Sequence, residues 1–187
     1  MSRYSSSRAA LLWGLLMMLG PAGAGFAQTP QGQAPQAQAP APTLPPQTIS
    51  LAEARAVIDG TIALAREKNA RLGVVVLDAA SGELVAGEHM DGAPGRNIMF
   101  AEGKAYAAIV YRTTSEALSN LYKTRPDRYF GIINMYGNKV YLVGGGIPLV
   151  VDGLLVGAVG VAGTNQDDLY AQAGIAAWEK VRGSLRK

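Results

Sequence analysis

The stretch Val143 to Gly163, VGGGIPLVVDGLLVGAVGVAG, constrains the fold of this chain more than any other. Two apolar runs flank Asp152-Gly153, and an Asp-Gly pair in that setting is a strong hairpin signal, because both turn positions need positive φ. In the second run, strict alternation puts Leu154, Val156, Ala158 and Gly160 on one face and Leu155, Gly157, Val159 and Val161 on the other. Both faces are apolar or lack side chains, which predicts a central strand covered on both sides. Gly157 and Gly160 weaken a strand and mark close approach of another backbone or a ligand, a packed helix being the commoner use.

The rest of the chain must supply the covering layers. Its 187 residues allow one domain with a proper core. Met1 to Ala27 reads as a secretory signal peptide: Arg3 and Arg8, an apolar run from Ala9 to Leu19, then Pro21 and small residues up to Ala27. The run is short of the ~20 residues that a membrane span needs, so the mature chain is expected to have no stable span. Residues 28–48, rich in Pro, Gln and Ala, read as a linker that cannot bury enough surface to order itself. The domain proper is 49–187, and the expected location is periplasmic or secreted.

Lys and Arg number 17 against 14 acids, and two of the basic residues lie in the first 47 positions, which hold no acid. A near-neutral remainder gives no electrostatic case for nucleic acid. Without cysteine there are no disulfides, thiolate chemistry or iron–sulfur clusters, and one histidine rules out multi-histidine metal sites.

Ser50-Leu51-Ala52-Glu53 is a capping box, and the stripe Leu51, Ala54, Val57, Ile58, Ile62, Ala65 predicts a helix to about Asn69 with Arg55, Arg66 and Lys68 in solvent. Leu72 to Leu77 and Glu83 to His89 read as a strand pair. Asn97 is expected to cap a helix to Tyr111, and Thr113 to Glu116 reads as a second capping box. Pro126 opens a short helix through about Phe130. Lys139 to Val143 is expected as a strand ahead of the hairpin, and Thr164 or Asn165 caps a last helix to about Ser184. Asp167 and Asp168 then stand at its positive end. Helix, two strands, helices, three strands, helix: the expectation is an α+β, profilin-like three-layer sandwich with a mainly antiparallel five-stranded sheet and helices on both faces.

The chemistry-bearing residues are few. His89, beside Met90, is the one histidine and a candidate iron ligand or proton-transfer group. Gly144, Gly145 and Gly146 can offer amides to an anion, but Ile147-Pro148-Leu149 follows where a P-loop needs Gly-Lys-Ser/Thr. Tyr106 and Tyr141 belong to a mid-chain tyrosine set suited to flanking a planar ligand or to packing. No acid–base pair or serine nucleophile can be assembled.

Three segments together resemble the GlcG/HbpS family, the haem-degrading or DUF336 domain, over about Ile49 to Lys180. They are Val74 to Asp78 with Gly82 and Leu84 through Met90-Asp91-Gly92-Ala93-Pro94; Lys104-Ala105-Tyr106 leading to Thr114-Ser115; and Gly144-Gly145-Gly146-Ile147-Pro148 with Asp152-Gly153 and Val156 to Val161. The resemblance implies a domain that forms homo-oligomers; some members bind haem or corrinoids, and exported members are tied to haem sensing or redox protection. Two departures matter. The family pattern has arginine before Met-Asp-Gly, where this chain has His89, and the first helix lacks the histidine that some haem-binding relatives use. Threonine coordination in relatives makes Thr113 or Thr114 a further candidate. The expected function is an exported, oligomeric module binding haem or a related tetrapyrrole. The alternatives are an accessory subunit docking on another exported protein and a small-molecule enzyme of unknown reaction.

Overall fold

The structure, a computed structural model, describes residues 48–185. The expected signal peptide and all of the linker except Thr48 lie outside the described residues. Helix α1 (Leu51–Glu67) opens on the expected capping box: Glu53 N donates to Ser50 Oγ at 3.2 Å, and Ser50 N donates to Glu53 Oε2 at 3.0 Å. Its buried stripe packs against the last helix, α6 (Asp167–Leu185). The two backbones come close because neither Gly60 nor Gly174 carries a side chain. A Cβ at Gly60 would sit 2.5 Å from that of Ala177, and one at Gly174 would meet the Val57 carbonyl oxygen at 2.5 Å.

Between the helices lies an antiparallel sheet of four strands: β1 (Gly73–Asp78), β2 (Leu84–His89), β3 (Gly146–Val151) and β4 (Leu154–Ala162), in the order β2-β1-β4-β3. Asp152 and Gly153 both have positive φ, 51° and 80°, as the hairpin turn requires. Period-two alternation sends Val74, Val76, Val159 and Val161 to the core shared with α1 and α6. Val75, Leu77, Ala158 and Ala162 go to a second core under α2 (Asn97–Tyr111). Helix, sheet and helix therefore form three layers. Gly160 faces α2, where any side chain would run into the Ala101 carbonyl and the Ala105 methyl group. The glycine-lined face receives a helix.

Four details differ from the sequence expectation. First, Lys139 to Val143 is not a strand, so the sheet has four strands and not five. Gly137–Lys139 is a 3-10 turn, and Tyr141 N donates to the Gly103 carbonyl of α2 at 3.0 Å. The alternation in this segment is real, but Val140 and Leu142 are buried against Ala107, Leu118 and Ile132, not against a sheet neighbour. Second, strict alternation fails in β4. The register shifts between Leu149 and Val150, opposite Gly157 and Leu155, and this bulge moves Val156 into the α1–α6 core with Val159 and Val161. The Val156 carbonyl then accepts from Ile49 N at 3.1 Å and Ala79 N at 3.3 Å.

Third, the caps shift by one residue. Arg96, not Asn97, occupies the N-cap of α2, and it makes no side-chain cap bond. Thr114, not Thr113, caps α3 (Ser115–Ser119) by accepting from Ala117 N. Fourth, after the short α4 (Leu121–Thr124), helix α5 (Pro126–Tyr136) runs well past Phe130.

Candidate functional site

The end of strand β2 builds a cleft. His89 pairs with Gly73 at the last rung of the β1–β2 ladder. The chain then turns through Met90 to Gly95, with Met90 N donating to the Leu72 carbonyl at 3.1 Å and Gly92 at φ 78°. Ile62, Arg66, Arg71, Glu88, His89, Met90 and Asp91 enclose a volume of about 380 Å³ there. His89 is exposed, and its Nε2 lies 3.1 Å from the Pro94 carbonyl oxygen. A carbonyl only accepts, so Nε2 carries the hydrogen, and in the neutral ring Nδ1 is left with a free lone pair. Met90 is half-buried against the α1–α6 core. Arg71 donates to the neighbouring Ala70 carbonyl at 3.0 Å. Among the described residues, the ion pairs involve none of Arg66, Arg71, Glu88 or Asp91. The cleft is bipolar: two arginines on the α1 side, a histidine between two carboxylates on the β2 side.

The triple glycine stands elsewhere, where α2, α3 and α6 converge. Gly145, at φ 112°, donates its amide to Asp168 Oδ1 at 2.8 Å, and Gly146 N donates to Ser115 Oγ at 2.8 Å. Ser115 Oγ in turn donates to the Val143 carbonyl at 2.6 Å. The Gly145 amide therefore faces the protein's own Asp168 carboxylate, and the Gly146 amide the Ser115 hydroxyl. Gly144 fits between the carboxylates of Asp168 and Glu116, which would have to move to admit a side chain.

Beneath the loop, Lys104 and Asp167 form an ion pair, Nζ to Oδ2 2.6 Å, with side chains only 2% and 6% exposed. Lys104 also donates to the Val161 carbonyl at 2.9 Å, and Asp167 Oδ1 accepts from Thr164 N and Oγ1 at 2.8 and 3.0 Å. This pair pins α2, β4 and the start of α6 to one another.

The other expected site residues are dispersed. Tyr106 lines a separate cavity against the β1–β2 turn. Thr113 is half-buried after the left-handed Arg112 that ends α2, and the Thr114 hydroxyl is used as a cap. Tyr141 stacks on Phe100 with ring centroids 4.7 Å apart, beside the Lys104 ammonium at 5.8 Å. The fold thus joins His89 to Met90, and Tyr141 to the glycine loop through Lys104, and separates these groups from Tyr106 and the threonines. Burial and the neighbouring Tyr136 raise the Tyr111 pKa above the usual phenol value, so that member of the tyrosine set stays a neutral hydroxyl at physiological pH.

Sequence reading placed neither Arg66 and Arg71 in the cleft nor Lys104 and Asp167 in a pair. For Lys104 a signal exists, since it interrupts the apolar stripe Ala101, Ala105, Ala108. For the arginines nothing local distinguishes a cleft wall from solvent.

The described residues thus form a three-layer sandwich with a histidine cleft at one strand end and a glycine loop whose Gly145 and Gly146 amides are bound by the protein's own side chains. The family model for the haem degrading protein HbpS-like matches residues 49–176, and the chain belongs to that family. A curated relative, an uncharacterized 15.0 kDa protein from the dhaT-dhaS intergenic region of Citrobacter freundii, is 28% identical over 130 residues. The match covers 68% of this chain and 90% of the relative. Among solved structures, the Klebsiella pneumoniae protein ORFY, a DUF336 protein, is similar with a TM-score of 0.68 at 24% identity, covering 75% of this chain and 97% of its own. A PduOC:haem complex is similar with a TM-score of 0.64 at 27% identity, covering 70% and 94%.

Proposed function

We propose that this protein is an exported, oligomeric module that binds haem or a related tetrapyrrole, on a sandwich we read as profilin-like, in the service of haem sensing or redox protection. Family membership and similarity to a PduOC:haem complex support the ligand class. The observation that carries the reading is that His89 shares a cleft with Arg66 and Arg71. These residues suit the group: imidazole is a common iron ligand, two arginines match carboxylate side arms, and Ile62 and Met90 offer apolar contact. Bound haem would supply an iron centre able to take ligands and electrons. The chain's part is to hold the arginine side chains against the acid groups and to present His89, with the Pro94 carbonyl fixing its ring.

Export rests on the sequence of residues 1–27. Oligomer formation draws on exposed apolar side chains, Tyr122, Phe130 and Met135, at 59, 51 and 77% exposure on α4 and α5. The same surface favours a second reading, docking on another exported protein. Among the described residues no helix is long and apolar enough to cross a membrane.

The test is titration of haemin into purified residues 28–187, followed at the Soret band. The expected outcome is saturation near one haem per chain or per dimer, a changed spectrum in His89→Ala and weaker binding in Arg66→Gln/Arg71→Gln. Tyr141→Phe should match the parent. A weak, non-saturating shift common to all variants would sink the haem reading. Co-purification of a stoichiometric partner would then support the docking reading.

A further inference from the structure

A second cavity, about 510 Å³, opens on the opposite face of the sheet and shares no residue with the histidine cleft. Three elements enclose it: the β1–β2 turn, one face of α2 and the 3-10 turn. Leu77 and Met99 supply its apolar lining among mostly polar neighbours. Helical spacing puts Met99, Glu102, Gly103 and Tyr106 on one side of α2, so carboxylate and phenol stand one turn apart. Glu83 enters from the β turn and Lys139 from the 3-10 turn.

The Ser81 hydroxyl is used within the turn, donating to Asp78 Oδ2 and accepting from Glu83 N. Among the described residues, Glu83, Glu102 and Lys139 take part in none of the ion pairs, and no side-chain hydrogen bond involves the Tyr106 hydroxyl. Yet the Tyr106 ring is held in place. Its edge lies against Gly82, where a Cβ would be 3.2 Å away, and it meets Tyr136 edge-on at 6.3 Å. A packed phenol ring, two exposed carboxylates and one exposed ammonium thus line one cavity with Leu77 and Met99.

The geometry points to a small-molecule site for a zwitterion: an ammonium group on a short aliphatic stem ending in a carboxylate. The ammonium has three donors, which suit Glu83, Glu102 and the Tyr106 oxygen. The stem covers Leu77 and Met99, and the carboxylate reaches Lys139. The cavity's volume falls in the range of about 300–1,000 Å³ usual for small-molecule sites. Nothing in this assignment depends on haem.

Isothermal titration with 6-aminohexanoate, cadaverine and hexanoate tests it on the full domain. All substitutions fall at exposed positions, and far-UV circular dichroism checks that each variant is folded. 6-Aminohexanoate should bind most tightly, cadaverine more weakly, and hexanoate not at all. Glu83→Gln/Glu102→Gln should weaken both amines by at least about tenfold. Lys139→Gln should weaken 6-aminohexanoate and leave cadaverine unchanged. Absence of binding by either amine at about 10 mM, or equal binding to parent and double variant, would overturn the proposal.

Discussion

Lys104 holds a full charge inside the domain, and the reason it is tolerated is Asp167, 2.6 Å away, together with the Val161 carbonyl. A buried ion pair adds little net stability, but removing one partner strands the other. Lys104→Ala is therefore expected to cost about 3–5 kcal/mol in urea unfolding. Lys104→Met combined with Asp167→Asn should recover a large part of that loss, because Asn keeps the acceptor that Thr164 uses and leaves no uncompensated charge. A double variant as unstable as the single one would mean that stranding the Asp167 charge is not what Lys104→Ala costs. The partners sit 63 positions apart, and this is why sequence reading stopped at half of the pair. Asp167 was legible as a charge matched to a helix N-terminus, whereas the lysine entered only as part of the segment Lys104-Ala105-Tyr106.

At the scale of elements, strand β4 and helix α2 make the tightest approach, through Gly160 and the Ala101 carbonyl. Gly160→Ala adds a methyl group where backbone already sits, and overpacking of this kind costs about 1–3 kcal/mol or more. Thermal unfolding should show a lowered midpoint, while Gly131→Ala, with open space around it, should be near neutral or stabilising.

The α1–α6 pair offers a pH-dependent prediction. Glu53 Oε1 accepts from Trp178 Nε1 at 3.3 Å and Arg182 Nε at 3.2 Å, while its other oxygen accepts from Ser50. Burial by itself raises the Glu53 pKa, but the Ser50 hydrogen bonds, with those of Trp178 and the Arg182 charge, outweigh it and leave the group below its usual value. A depressed carboxyl stabilises the folded state above its unfolded pKa, ~4.3, and this contribution fades as pH falls through the folded value. Glu53→Gln should therefore lose about 1–2 kcal/mol at pH 7. The gap between parent and variant should narrow as pH falls through the folded value. Equal pH profiles would show that the contacts of Glu53 carry no charge-dependent stability.

Over the whole molecule, what was legible followed from periodicity. The Asp152-Gly153 turn, the doubly covered strands and the first helix with its capping box all rest on local chemistry, and each stands where the residues put it. The miscounted fifth strand came from the same source: Val140 and Leu142 alternate with Tyr141 as a strand would, but their buried side meets helices. Which partner an alternating segment finds is a tertiary fact. The functional residues were harder still, because a cleft is a coincidence of distant elements. His89 was found as a singular residue, whereas Arg66 and Arg71 became cleft walls only once α1 had been laid beside β2.

The bulge at Val156 has a consequence for how the domain comes apart. One carbonyl oxygen ties together the entry of the chain at Ile49, the end of the first strand at Ala79 and the hairpin. Those links are single bonds at the entry of the chain and just past a strand end, without ladder neighbours to hold them. They are therefore expected to open first. In native-state hydrogen exchange the Ile49 and Ala79 amides should exchange together, well before those of Val75 and Val76 in the covered strand. Such a seam would release the first helix as a unit while the hairpin and α2 remain associated.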